Sequence, residues 1–190
     1  MTRSGDAFVG LYQRAAAAKR SNGKLFVSVH ANASKNRTAR GMEVFFLSAA
    51  KTDDARMVAD RENASVAYED NPSASRKMLN GSNLLSDIER DMASNVFLKE
   101  SQDLCSILLD SAIPATRQEN RGVKQAGFYV LAGTLAAMPS ILFEVGFISN
   151  PEEERMLNRI SYQKRIAQSI YEAVMKFKSR HERGLFTRSR

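Results

Sequence analysis

The 190-residue chain has a single cysteine, Cys105, so an internal disulfide is excluded. It sits in the apolar run Leu104-Cys105-Ser106-Ile107-Leu108-Leu109 and reads as a buried helix position, because a free cysteine packs as a small hydrophobe. Histidine is almost as scarce: His30 and His181 are the only two. No apolar run approaches the roughly 18 residues of a membrane span. The opening Met1-Thr2-Arg3-Ser4-Gly5-Asp6 lacks the apolar stretch of a secretory signal, so none is expected there. The net charge of +7 is mostly local. Residues 176–190 carry Lys176, Lys178, Arg180, Arg183, Arg188 and Arg190 against Glu182, or 6 − 1 = +5, which leaves 7 − 5 = +2 for the rest. This predicts a polar basic tail over 181–190, disordered beyond Gly184. Charge confined to a tail, with no recognition motif, argues against a nucleic-acid-binding protein.

What is present is an ordinary globular balance, 43 % hydrophobic and 26 % charged, sized for one domain. Phe8 to Arg20 reads as a helix, ended by Asn22-Gly23. Leu25 to Val29 is almost wholly apolar, the pattern of a strand covered on both faces. A polar loop over 31–41 leads to a second strand, Met42 to Leu47. A helix is expected from about Asp53 to Tyr68. Asn71-Pro72-Ser73 and Asn80-Gly81-Ser82 bracket a loop. Helical spacing then runs from Leu84 to about Ile113, with a break near Ser94-Asn95 and Pro114 as its stop. Phe128 to Leu131 and Ile141 to Val145 read as short strands, and Glu152 to Leu157 and Tyr162 to Lys178 as the last helices. Strands alternating with helices predict an α/β fold: three layers, a mostly parallel twisted sheet, helices on both faces.

Two segments carry the chemistry. Leu25-Phe26-Val27-Ser28-Val29-His30-Ala31-Asn32-Ala33 and Pro139-Ser140-Ile141-Leu142-Phe143-Glu144-Val145-Gly146-Phe147-Ile148-Ser149-Asn150-Pro151 are apolar runs that each end on one ionisable residue. Open α/β sheets build their sites at strand ends. Histidine there can ligate zinc or act as a base, although a lone strand-end histidine is more often structural. Glu144, flanked by Phe143 and Val145, must be paired, metal-bound or raised in pKa. Asn150, Pro151 and Glu153 have the spacing of a helix cap, first turn and capping box, so Glu152, Glu153 and Glu154 read as structural. Glu43 reads as a structural partner beside its strand, and Glu62 as a surface or capping acid.

These segments resemble a known family. Ser28-Val29-His30-Ala31-Asn32-Ala33 and Phe143 to Asn150 look like the two late motifs of the zinc-dependent N-acetylmuramoyl-L-alanine amidases, the type 3 cell-wall amidase catalytic domain. Thr2 to Asp6 with Leu11 and Arg14, Gly41 to Leu47, Arg61-Glu62-Asn63 and Gly122 to Leu131 resemble further segments of that family, in order, from about residue 2 to 178. The resemblance implies a phosphorylase/hydrolase-like fold over residues 1–180. It implies zinc as cofactor, with His30 as a metal ligand and Glu144 as the catalytic acid–base. Asn32 and Ala33 are weaker candidates for substrate contact. The implied substrate is peptidoglycan, cut between N-acetylmuramic acid and the L-alanine of the stem peptide. The implied location of the intact parent is the periplasm or cell envelope. In some members a helical insert covers the zinc until a protein activator moves it, and residues 70–120 occupy that place.

The sequence also departs from the family. Its ligands are a His, a Glu and a second His, the first in a Gly-His-Gly-Gly motif that does not occur here. The expectation is therefore a domain lacking its N-terminal strands, with His30 alone from the usual set. Glu144, Glu43 or Glu62 can add an oxygen, but sequence spacing does not place them. The alternative reading is a shortened, inactive amidase-fold protein that at most binds cell-wall glycopeptide.

Overall fold

Among the described residues two strands are buried along their whole length and two are not, and the sheet order explains which. The computed structural model describes residues 1–3, 5–69, 96–135 and 137–188, with residues 183–188 described by their backbone alone. Its four strands are β1 (Phe26–Asn32), β2 (Met42–Leu47), β3 (Asn120–Ala126) and β4 (Ser140–Phe147). They are ordered β1-β4-β2-β3. Inner strands β4 and β2 are buried at every position, whereas the flanking β1 and β3 are only partly covered. This matches the near-continuous apolar character of Ile141–Val145 and Met42–Leu47.

Among the described residues the helices are α1 (Leu11–Arg20), α2 (Asp53–Asn63) with a 3₁₀ turn over Ala64–Tyr68, α3 (Val96–Thr116), α4 (Tyr129–Ala132), α5 (Pro151–Leu157) and α6 (Ile160–Arg188). The result is an α/β protein whose central sheet is flanked by helices.

Two of the three neighbouring strand pairs run parallel. Phe26 N donates to Pro139 O at one end of the β1/β4 pair, and Ile148 N donates to Asn32 O at the other. Met42 N to Glu119 O and Ser48 N to Ala126 O align β2 with β3 in the same way. Between the pairs the chain sense reverses. One carboxylate, Glu153, accepts from both Gly41 N, just before β2, and Phe147 N, at the end of β4. The carboxyl ends of β1 and β4 therefore lie beside the amino ends of β2 and β3.

The chain forms two compact units. The first comprises Met1–Ser28, Phe45–Ser101 and Lys124–Leu142. Its core gathers Phe26, Phe45, Leu47, Ala59, Phe128, Leu131 and Leu142, with the Phe45 and Phe128 rings edge to face at 5.0 Å. The second comprises Val29–Val44, Gln102–Val123 and Phe143–Arg190. It buries Leu104, Cys105, Leu108, Phe143, Tyr162 and Ile166.

Several sequence expectations shift. Helix α1 starts at Leu11 rather than Phe8, because Gln13 Oε1 accepts the Gly10 N–H and Glu69 Oε1 accepts the Leu11 N–H. It ends as expected, with Asn22 left-handed at φ +51°. Residues 129–131 form most of α4, with Phe128 as its N-cap, and not a strand. The neighbouring strand is β3, which as a partly covered strand carries Arg121, Lys124 and Gln125 and so lacks an apolar signature. Pro114 lies inside α3 rather than stopping it, because the carbonyl it leaves unmatched belongs to exposed Asp110 in the last turns. The stop comes at Arg117, φ +58°. Helix α6 continues to Arg188, past the expected end at Lys178, so the backbone over 181–188 is helical and not a disordered tail. The loop markers at 71–73 and 80–82 and the first half of the 84–113 helix lie outside the described residues.

Candidate metal and catalytic site

Alternation along β1 sets Phe26, Ser28, His30 and Asn32 on one face. His30 is half-buried and Asn32 fully buried. On β4 the same alternation groups Leu142, Glu144 and Gly146, and Glu144 is fully buried. Helix α2 brings a third group, Glu62, in its last turn. The turn is fixed by Asn63, whose amide donates to Gly127 O and accepts from Tyr129 N, both at 2.8 Å. One donor atom each from His30, Glu62 and Glu144 lie within 4.8 Å of one another.

An imidazole nitrogen and a carboxylate oxygen are ligand types that zinc accepts, and a further carboxylate beside them can serve a metal-bound site as a base. The donor chemistry therefore fits the metal. The sequence reads Glu62 as a surface or capping acid that can add an oxygen; the structure sets one of its carboxylate oxygens beside His30 and Glu144. Helical spacing alone cannot show which carboxylate near a helix end turns inward. Its one signal was the company of Asn63.

Glu43 does not join this group. It is 1 % exposed; its Oε1 accepts from Asn32 Nδ2 at 2.7 Å, and its Oε2 pairs with Arg121 Nε at 3.0 Å. The expected structural role holds. Asn32 is held by the same contact, and its Oδ1 also accepts from Ala33 N at 2.7 Å. Its side chain is thus turned inward, toward Glu43. Arg121 also lies 5.0 Å from the Phe147 ring centre.

Asn150 caps α5 as expected, accepting from Glu152 N and Glu153 N, with Pro151 opening the helix. The capping box does not form. Asn150 N donates to Phe147 O instead, and Glu153 turns into the protein, 2 % exposed. Its oxygens accept from Phe147 N at 2.6 Å and Gly41 N at 2.8 Å. Burial pushes the Glu153 carboxyl above the ordinary glutamate range, opposed by those two N–H bonds and by Arg40 and Arg121. Burial likewise raises the Cys105 thiol and the Tyr162 hydroxyl. His181 lies on α6, stacked on Phe177 at 6.3 Å.

Fold and donor cluster together define an α/β protein with a His-Glu-Glu group, from two adjacent strands and the last turn of α2, that could hold a metal ion. The chain belongs to the N-acetylmuramoyl-L-alanine amidase family (Amidase_3), which matches residues 1–176. It is 35 % identical over 179 residues to the N-acetylmuramoyl-L-alanine amidase AmiA of Escherichia coli K12, covering 93 % of this chain and 60 % of that protein. The chain thus spans about three-fifths of that relative's length. Among solved structures, the fold is shared with the catalytic domain of the amidase CwlV from Bacillus (Paenibacillus) polymyxa var. colistinus. That likeness has a TM-score of 0.61 at 24 % identity, covering 94 % of this chain and 70 % of the other. It is shared also with the CwlD amidase of Clostridioides difficile, solved with the GerS lipoprotein: TM-score 0.62, 20 % identity, 94 % and 74 % covered.

Proposed function

We propose that this chain is a zinc-dependent peptidoglycan amidase that hydrolyses the bond between N-acetylmuramic acid and the L-alanine of the stem peptide. The carrying observation is the convergence of His30, Glu62 and Glu144 within 4.8 Å in a chain matched by an amidase family almost end to end. His30 and Glu62 are the metal donors in this reading, and Glu144 is the acid–base. A zinc ion held there supplies Lewis acidity and an acidified water. Glu144, fully buried on an apolar strand, takes the proton of the attacking water and delivers it to the leaving amine nitrogen. A working site in the cell envelope follows from the substrate. No described helix is long and apolar enough to cross a membrane.

The family match favours the enzyme over a chain that only binds glycopeptide. An activator acting on residues 70–120 belongs to the same reading. Its support is that the CwlD amidase was solved with a lipoprotein partner. Within that segment, α3 occupies residues 96–116.

Glu144→Gln tests the assignment. Stem-peptide release from purified peptidoglycan should fall by about 100-fold or more, with zinc stoichiometry unchanged. Unchanged release removes Glu144 from the chemistry. Loss of zinc together with release makes Glu144 a ligand instead of the base.

A further inference from the structure

A third buried carboxylate at this end of the sheet, Glu153, has no part in the donor cluster, yet it accepts from backbone N–H groups at the end of β4 and just before β2. We infer that Glu153 is a positioning residue for Glu144 and His30, a brace that sets the carboxyl ends of β4 and β1.

Three observations carry this. First, Glu153 accepts from Phe147 N at 2.6 Å, three residues beyond Glu144 on the same strand. A charged acceptor on a backbone N–H makes one of the stronger hydrogen bonds available to a protein. Second, its other oxygen accepts from Gly41 N at 2.8 Å, two residues before Glu43. Glu43 in turn holds Asn32, two residues beyond His30. One carboxylate is thus linked directly to the strand of Glu144 and, through a single further carboxylate, to the strand of His30.

Third, the backbone between Glu144 and Phe147 is shaped around Glu153. Gly146 has φ +148°, and a Cβ there would stand 3.3 Å from Glu153 Oε2. Glycine at 146 gives the conformation and the space that the brace needs. Gly41, φ +103°, is equally committed: a Cβ would come within 2.6 Å of Glu119 O.

A carboxylate with these bonds that served only to cap α5 would bond α5. That cap is already made by Asn150, and Glu153 points away from it, to β4 and the start of β2. The groups that face Glu153 are Arg40, Arg121 and the Tyr162 hydroxyl.

The inference rests on the assignment of Glu144 proposed above, and its test separates the two. Glu153→Gln keeps the shape but presents an NH2 group to one of the two N–H donors, so one bond is lost. In the 190-residue chain loaded with zinc, kcat on peptidoglycan fragments should fall about 10- to 100-fold, the penalty of a small misplacement of a reacting group. KM and zinc stoichiometry should stay within about twofold, and near-complete folding should be seen by circular dichroism. Amide resonances give a readout independent of activity. In the wild type, the Phe147 and Gly41 amide protons should titrate together with a midpoint above 4.5, and in Glu153→Gln that titration should vanish. Glu153→Asp, too short to reach both donors, should resemble Gln rather than wild type.

Unchanged kcat in folded Glu153→Gln overturns the proposal, as does a loss of activity that tracks the unfolded fraction alone. Amide protons at 147 and 41 that ignore Glu153 overturn it as well. If Glu144→Gln is fully active, it is the assignment of Glu144 that fails, and the amide titration still reports whether the brace exists.

Discussion

At the scale of single residues, four buried groups do distinct work. Glu144 is carried on a strand with no exposed position, and Glu43 and Glu153 each spend both oxygens on named partners. Cys105, 0 % exposed on α3, has its thiol pushed up by burial, so the reactive thiolate is suppressed. Intact protein should therefore resist Ellman's reagent at pH 8 and react with one equivalent only after denaturation. Rapid native labelling would show that the helix opens. Glu153 also predicts a sign. A carboxyl whose folded pKa lies above its unfolded value contributes stability that is complete below the unfolded value and is lost as pH rises through the folded one. Glu153→Gln should accordingly flatten the part of the stability profile that declines above about pH 4.5, as read by denaturant titration across pH.

At the scale of elements, periodicity located most of the chain, and its failures have physical reasons. Apolar runs reveal β2 and β4 because those strands are covered along their length, and β1 although it is only partly covered. Strand β3 at the sheet margin is polar and gives no apolar signal, whereas the apolar Phe128–Leu131 beside it reads as a strand but leads into α4. The Asn63 amide, bonded to Gly127 and Tyr129, holds the turn there. Asn150, Pro151 and the three glutamates marked the start of α5 correctly, since N-cap chemistry is local. Asn150→Ala should cost about 1 kcal/mol, checked by chemical denaturation. A loss under a few tenths would mean that the Asn150 side chain contributes little to the start of α5.

At the scale of the whole molecule, the edge-to-face pair Phe45–Phe128 sits inside the first unit's core, with both rings 0 % exposed. Phe45→Ala should destabilise by about 3–5 kcal/mol, a large share of the roughly 5–15 kcal/mol that holds a domain folded. Calorimetry reads this as a lowered Tm, and a shift of only a degree or two would mean that the core refills. By itself the sequence determined the fold class, the strands that bear His30 and Glu144, and the family motifs. Those depend on short-range patterns: apolar runs, caps and the order of motifs along the chain. Tertiary structure alone decided that β2 runs back against β4, that Glu62 and not Glu43 joins His30 and Glu144, and that Glu153 turns inward. Each of these depends on where a side chain points after distant segments pack. A carboxylate's direction is set by the N–H groups and cations that folding brings to it, and its neighbours in sequence do not specify them.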